Sequence, residues 1–359
     1  MMIDLPASIL QVLAFFAPLF SRPVFKNALE LLSAHFLCKG KRTVTNLIKC
    51  LGKHNDSKKF TKYFYVLRKA KWSTFKASKI LFLLMVERLL PKDAQIEINI
   101  DAHLNRRRGP KIKGLGLHRD AVASSKTQKV LATGHNWLVA TICDFPPLQK
   151  AKRGRPRIVG ARLPNLEALL NDKKQKWVNM QIPWYSGATR NANVLTGTCL
   201  WYHNTVGGVP IRWILIKDPA GEKKPTALLV TDLTVCAEQG IAFFVGRWPI
   251  ETTFQEINAH LGLETIHTWS DISVNRTAPS IIASYSLACL LVNETVKTTG
   301  IEITPQCTAW YEKKTVTFSD VMVYLKMLIL NKKYFSQSEK LPMLEKIDLE
   351  NLFYLVASG

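Results

Sequence analysis

One arginine and one glutamate stand one helical turn apart in an otherwise apolar stretch. Arg247 precedes Glu251 by four residues in the segment 243–254. The apolar residues that recur there at helical spacing are Ile250, Phe254, Ile257 and Leu261. This spacing predicts a helix packed on a core, with Glu251 at the edge of its buried face. Because an unpaired buried charge is costly, Glu251 needs a partner, either a divalent metal ion or Arg247 itself.

A second carboxylate follows a strand-like pattern. Residues 96–101 alternate apolar and polar side chains, which predicts a half-buried strand that ends on Asp101. Only the fold could bring Asp101 together with the distant Glu251. Carboxylate oxygens suit Mg²⁺ or Mn²⁺, and two such ions can activate water and stabilise a leaving oxygen in phosphoryl transfer. The alternative is that Asp101 caps a turn.

The chain carries a large excess of positive charge. It has 49 Lys and Arg residues against 27 Asp and Glu residues, a net charge of +22 over 359 residues. The excess is spread along the chain, which indicates a binding surface for an anionic partner, most commonly nucleic acid. Solubility alone and membrane headgroups are the alternatives, and the second is disfavoured because no helical pattern has a dominant Lys/Arg face.

Cysteine usage and apolar runs predict a cytoplasmic protein without a membrane span. The seven cysteines form no C-x-x-C pair, so we expect them to be reduced core residues. The apolar runs 8–20 and 280–292 are shorter than the roughly 18 to 20 residues of a spanning helix. No basic segment precedes the first run, so a signal peptide is not expected.

Changes in pattern divide the chain into six predicted segments. In chain order they are a helical N-terminal DNA-binding domain (1–92), the first part of the catalytic core (93–145), a basic linker (146–176), a β-rich insertion with a core strand (177–232), a glutamate-bearing helix with the end of the core (233–300) and a helical tail (301–359). Short helices with basic connectors favour DNA binding for 1–92. An ordinary helical cap domain would show the same pattern.

Two basic stretches are candidate DNA contacts. Their residues are Arg106, Arg107, Arg108 and Lys111, in a turn after Asp101, and Arg153, Arg155 and Arg157, in the linker. The run Arg-Gly-Arg-Pro in the linker resembles a hook that places arginines in an A·T-rich minor groove. A plain charged loop is the alternative.

The segment 243–269 resembles the C-terminal signature of the DDE transposases of bacterial insertion sequences. One branch of that family has the pattern Tyr-x2-Arg-x3-Glu-x6-Lys, and here it reads Phe244-x2-Arg247-x3-Glu251-x6-Asn258. Further blocks that resemble the family are 40–44, 70–73, 107–112, 134–137, 261–264, 276–279, 310–314 and 318–320. The resemblance therefore covers most of the chain.

The resemblance implies an α/β (α+β) fold: a ribonuclease-H-like mixed sheet with flanking helices, a β-rich insertion and an N-terminal helical domain. Asp101 would be the first metal-binding aspartate and Glu251 the catalytic glutamate, while Arg247 would contact DNA phosphate or orient Glu251. The implied activity is cleavage of transposon ends and strand transfer into target DNA, dependent on Mg²⁺ (or Mn²⁺). The implied partner is double-stranded DNA, bound by a homodimer at the nucleoid in the cytoplasm.

The chain also departs from the family pattern. Phe244 replaces a tyrosine and Asn258 replaces a lysine. Relatives carry a helix and a strand that ends in a second catalytic aspartate, and this block should lie between Trp137 and Arg153. Because too few residues lie there, we expect an internal deletion and an incomplete core.

Another aspartate could replace the missing one. Asp144 is the nearest candidate metal ligand, followed by Asp218 and Asp232. Two hypotheses therefore stay open. The chain is an active transposase, or it is a catalytically inactive DNA-binding remnant that occupies transposon ends.

Overall fold

The structure is a computed structural model of the whole chain with mixed α/β architecture and antiparallel sheets. It describes residues 5–53, 57–92, 94, 96–125, 127–143, 163–184, 188–203, 205, 207–307 and 309–338. Two compact units are present. The first comprises 1–93, 100–139 and 253–359, and the second comprises 94–99 and 140–252.

Helices dominate the first unit, and strands dominate the second. The α-helices are α1 (Ala7–Ala14), α2 (Arg22–Leu37), α3 (Val44–Cys50), α4 (Ser57–Arg68), α5 (Thr74–Leu89), α6 (Leu166–Asn171), α7 (Ala237–Gly246), α8 (Pro249–Glu256), α9 (Asp271–Thr299) and α10 (Phe318–Ser338). The strands are β1 (Glu97–Arg106), β2 (Gly116–Arg119), β3 (Leu131–Cys143), β4 (Val178–Pro183), β5 (Thr189–His203), β6 (Gly207–Lys217) and β7 (Thr226–Val230). The predicted helices of the N-terminal segment are confirmed.

Helix α9 is the centre of the first unit. Its buried residues pack against α1, α5 and α10 in one large apolar cluster. The helix ends at Gly300, whose φ of 71° is the left-handed conformation that glycine adopts at helix ends. Among the described helices, α9 is the one whose length and composition would allow a membrane crossing, and 44% of its most apolar window is buried inside the protein. The sequence predicted a shorter helix here.

The first sheet has the strand order β1–β3–β2, and β2 pairs antiparallel with β3. Asp101 lies in the middle of β1 and not at its end, so the predicted boundary is wrong. The alternating strand is confirmed, but its apolar side chains face outward. Ile98 is 51% exposed and Ile100 is 60% exposed, whereas the intervening Asn99 is half-buried. The sequence pattern gives the alternation but not the face that is covered.

The second sheet has the order β4–β5–β6–β7, with every neighbouring pair antiparallel. Its β5 runs without a break through 189–203, where the sequence pattern predicted two strands. One face packs against α7 through Ile214 and Ile241, which are fully buried. The other face packs Trp213 and its neighbours against the leucines of α6 and the residues before it. Both faces of this sheet are therefore covered.

A break separates α7 from α8, where the sequence predicted one helix from 237 to 261. Arg247 and Trp248 form a turn, and Pro249 begins α8. Proline favours the first position of a helix because its missing N–H would have no partner there. After α8 the chain continues as a π-helical turn, Ile257–Leu261, which ends at Gly262 with a φ of 65°. The predicted apolar stripe is confirmed, since Ile250, Phe254, Ile257 and Leu261 are all buried.

Candidate catalytic carboxylates and nucleic-acid contacts

Asp101 is a half-buried side chain on β1. Its Oδ1 accepts a hydrogen bond from the main-chain N–H of Ala102 at 2.8 Å. Two residues further along the same face of the strand, the ring of His103 stacks on Phe254 with centroids 4.4 Å apart. This contact joins β1 to α8 within the first unit.

The surroundings of His103 favour the neutral form of its imidazole over the charged form. Burial lowers the pKa of His103 first and the positive charge of Arg106 lowers it further, while Asp101 opposes both effects. Within the described residues its Nε2 has no hydrogen-bond partner.

Glu251 lies in the first turn of α8, where the positive end of the helix dipole favours a carboxylate. Its Oε1 accepts a hydrogen bond from Nη2 of Arg247 at 2.7 Å, and both side chains are 36% exposed. The ion pair between the two residues, one of the two partners predicted for Glu251, is therefore formed. The turn at 247–248 does not interrupt it, because the helical spacing of four residues is kept across the break.

Metal binding by the two carboxylates stays a prediction. Asp101 belongs to the first unit and Glu251 to the second. Within the described ranges, no three His, Cys, Asp or Glu side chains are grouped so that they could hold a metal ion. Asp144 lies outside the described residues, as do the linker arginines Arg153, Arg155 and Arg157.

The basic residues after Asp101 have different surroundings. Arg106 lies in β1 and not in a turn, and it binds the buried Asp120 through Nε at 2.6 Å and Nη2 at 2.9 Å. Arg107 is buried, and its Nη2 donates to the carbonyl oxygen of Thr268 at 3.1 Å. Arg108 and Lys111, by contrast, are exposed. DNA binding by these residues stays a prediction, and the two exposed side chains suit it best.

Sequence reasoning missed Asp120, which the fold makes the partner of Arg106. Asp120 also accepts hydrogen bonds from the main-chain N–H groups of Val122 and Ala123, both at 3.1 Å. The fork from Arg106 is the largest cause that lowers the pKa of Asp120 to about 2. No sequence signal indicates the pair, because Arg106 lies on β1 and Asp120 directly follows β2, so that only folding brings the two together.

The sequence also gave no indication of the hydrogen bonds that two asparagines of β1 make. Asn99 donates through Nδ2 to the carbonyl oxygen of Gly246, at the end of α7, at 2.9 Å. Asn105 is buried and donates to the carbonyl oxygen of Leu263 at 3.3 Å. The covered face of β1 is polar because its asparagines donate hydrogen bonds to main-chain carbonyl groups.

No protein-family model matches the chain, and no curated protein matches it.

Proposed function

We propose that the protein is a DNA transposase of the DDE type, which cleaves transposon ends and transfers the strand into target DNA. In this proposal the chain has a ribonuclease-H-like core and acts as a homodimer on double-stranded DNA. Asp101 and Glu251 are its metal-binding carboxylates. The support is the sequence pattern around Arg247 and Glu251 together with one contact in the structure.

That contact is the stack of His103 on Phe254. The strand that bears Asp101 thereby touches the helix that bears Glu251, because Phe254 follows Glu251 by three residues in α8. Asn105 supports the same arrangement by bonding to Leu263, in the chain that follows α8. Both contacts lie within the first unit, and the placement of Glu251 beside Asp101 is part of the proposal.

The donor set fits a hard divalent cation. Asp101 and Glu251 would hold Mg²⁺ (or Mn²⁺) through carboxylate oxygens. The ion would supply a positive charge that polarises the scissile phosphate and promotes ionisation of the attacking water. Arg247 restrains Glu251 through the 2.7 Å ion pair, so the carboxylate is oriented before a phosphate arrives.

A second candidate function is that of an inactive DNA-binding remnant of such a transposase. The observation that favours it is the length of chain after β3. This strand ends at Cys143, and only nine residues separate it from Arg153. A helix and a strand do not fit into that length, since an average helix alone has about 11 residues. The charge of Glu251 is moreover already balanced by Arg247.

A cleavage assay separates the two candidates. The full-length protein is incubated with Mg²⁺ and duplexes made from the DNA that flanks its reading frame. If the chain is an active transposase, cleavage is lost by at least about 100-fold in Asp101→Asn and in Glu251→Gln, because misplacing a reacting group by about 1 Å already costs that much. Glu256→Gln, one turn further along the same helix, is the matched control and retains activity.

Binding without cleavage supports the remnant instead. In either case the affinity falls steeply with salt, because each phosphate contact contributes roughly −0.9 to the slope of log K against log salt. A nearly flat slope contradicts both candidates, since it would show that the positive charge does not serve nucleic acid.

A further inference from the structure

An exposed tryptophan lies where three segments of the first unit meet. Trp269 is 53% exposed, although it directly precedes Ser270, the N-cap of α9. The main-chain N–H of Lys113 donates to the carbonyl oxygen of Trp269 at 3.0 Å. The guanidinium of Arg68, the last residue of α4, lies 5.6 Å from the centroid of the indole ring. We call Trp269, Arg68 and Lys113 together the Trp269 surface.

The main chain of Trp269 is held from two sides. On one side the hydrogen bond from Lys113 fixes its own carbonyl group, and Arg107 donates to the carbonyl oxygen of Thr268, the preceding residue, at 3.1 Å. On the other side Ser270 begins α9, and its Oγ donates to Oγ of Ser273 at 2.8 Å. The indole is therefore presented to solvent from a rigid backbone, so little conformational entropy is lost when a ligand covers it.

Arg68 is held by the same helix. Arg276 of α9 donates from Nη1 to the carbonyl oxygens of Val66 and Leu67 at 3.3 and 3.4 Å. Its Nη2 donates to the carbonyl oxygen of Trp72 at 3.0 Å. These bonds attach the end of α4 to α9, and Arg68 is the next residue after the two carbonyl groups. The cation and the ring are thus positioned by one helix.

The charge around the Trp269 surface is predominantly positive. Exposed basic residues on the three segments are Arg68, Lys69, Lys71, Arg108, Lys111 and Lys113. One exposed acid, Asp271, follows Trp269 by two residues, and its Oδ1 accepts a hydrogen bond from Asn275. Glu264, another exposed acid, lies 3.6 Å from Nη1 of Arg106. Two carboxylates against six cations leave a field that attracts an anion.

We propose that the Trp269 surface binds DNA at an unpaired nucleotide, with the base stacked on the indole and the flanking phosphates paired with the basic residues. This inference rests on the proposed DNA-binding function and adds the structure of the DNA that is recognised. A rigid aromatic ring beside a guanidinium is the combination that single-stranded nucleic acid uses, because every base has a π-face. An acidic peptide would satisfy the cations but has no use for the exposed indole.

The test compares the affinity of the full-length protein for two DNAs by fluorescence anisotropy. One is a labelled 30-base-pair duplex, and the other is the same duplex with three unpaired nucleotides at its centre. The wild type is expected to bind the second DNA more tightly. Trp269→Ala should lose about 5- to 100-fold in affinity for that DNA, the range measured for one stacked base, and should bind the perfect duplex as before.

Three further variants identify the cause of the loss. Trp269→Phe retains an aromatic face and should keep most of the affinity. Trp310→Ala removes another tryptophan, which is 96% exposed, and should change neither affinity. Arg68→Gln should weaken binding to both DNAs and reduce the salt slope by about 1, as the loss of one phosphate contact does.

The outcomes separate this inference from the proposed function. If the wild type binds the two DNAs equally and Trp269→Ala matches it, the inference is wrong while DNA binding stands. If polyglutamate competes as effectively as unlabelled DNA with unpaired nucleotides, base stacking is likewise excluded. If the wild type binds only the DNA with unpaired nucleotides, and Trp269→Ala abolishes this binding, the inference about the Trp269 surface is supported and the proposed transposase function is not. If it binds neither DNA, both proposals fail.

Discussion

The two sheets of this protein differ in how far their apolar side chains are covered. In the four-stranded sheet β4–β7, each face has a covering helix, and β6 is buried at Ile211 and from Trp213 to Ile216. In the part of the three-stranded sheet that belongs to the first unit, Ile100 and Leu138 remain exposed. The alternation therefore determines which side chains share a face, whereas the neighbouring elements determine whether that face is buried.

The internal deletion expected from the sequence stays a prediction, and exposed side chains of this kind are what it would leave. A sheet that loses a neighbouring helix or strand keeps the side chains that once packed there, and they become exposed apolar area. In the four-stranded sheet α6 and α7 cover the two faces, and exposed apolar side chains are found at Val178, Tyr202 and Leu229. Three measurements test this contrast, in order of decreasing expected effect.

The largest effect is expected from a matched pair of truncations. Ile214→Ala in the four-stranded sheet removes a side chain with no exposed area and should lower the free energy of unfolding by about 2 to 5 kcal/mol, because it creates a cavity. Leu138→Ala in the other sheet removes a side chain that is 76% exposed and should change it by less than about 0.5 kcal/mol. Urea unfolding measures both. Equal losses would show that the open face is covered in solution.

A buried histidine should make the stability of the helical core depend on pH. His35 of α2 donates from Nε2 to Oγ of Ser284 at 3.1 Å, since that hydroxyl itself donates to the carbonyl oxygen of Ile281. Burial, and then the charge of Arg42, lower the pKa of His35 from 6.5 to about 3. Below pH 6.5 the histidine of the unfolded chain takes up a proton, whereas that of the folded chain stays neutral. The free energy of unfolding therefore decreases by about 1.4 kcal/mol for each unit by which the pH is lowered between the two pKa values.

The expected result is a loss of about 2 to 3 kcal/mol between pH 6.5 and pH 4.5, measured by urea unfolding at each pH. His35→Leu should show less of this dependence, because leucine takes up no proton. His267→Leu changes an exposed side chain and is the matched control, for which the wild-type dependence is expected. If His35→Leu and wild type follow the same curve, the interior around α2 admits water and the contrast with the exposed sheet is lost.

Polar substitutions on the open face should have the smallest effect on stability of the three changes. They should have a clear effect on solubility. Ile100→Thr combined with Leu138→Thr keeps residues that favour strands and removes exposed apolar area. The free energy of unfolding should change by less than about 0.5 kcal/mol for each substitution, while the concentration at which light scattering begins should rise. An unchanged threshold would show that this face does not cause association.

Much of the local structure was readable from the sequence. Helical periodicity gave the N-terminal helices and the buried stripe of Ile250, Phe254, Ile257 and Leu261. Alternation gave the strands, though not their lengths, because β1 continues past Asp101 and β5 passes through Gly197. The i,i+4 spacing gave the pair of Arg247 and Glu251. Each of these features depends on residues close together in the chain.

The remaining features depend on distant residues, and only the tertiary structure decided them. Arg106 pairs with Asp120, and Arg68 lies against Trp269, because separate segments pack together. No periodicity encodes such contacts, since the choice of partner depends on which elements fill the neighbouring space. For the same reason, the sequence determined that Ile98 and Ile100 share a face, and only the packing of the folded chain decided that this face is exposed.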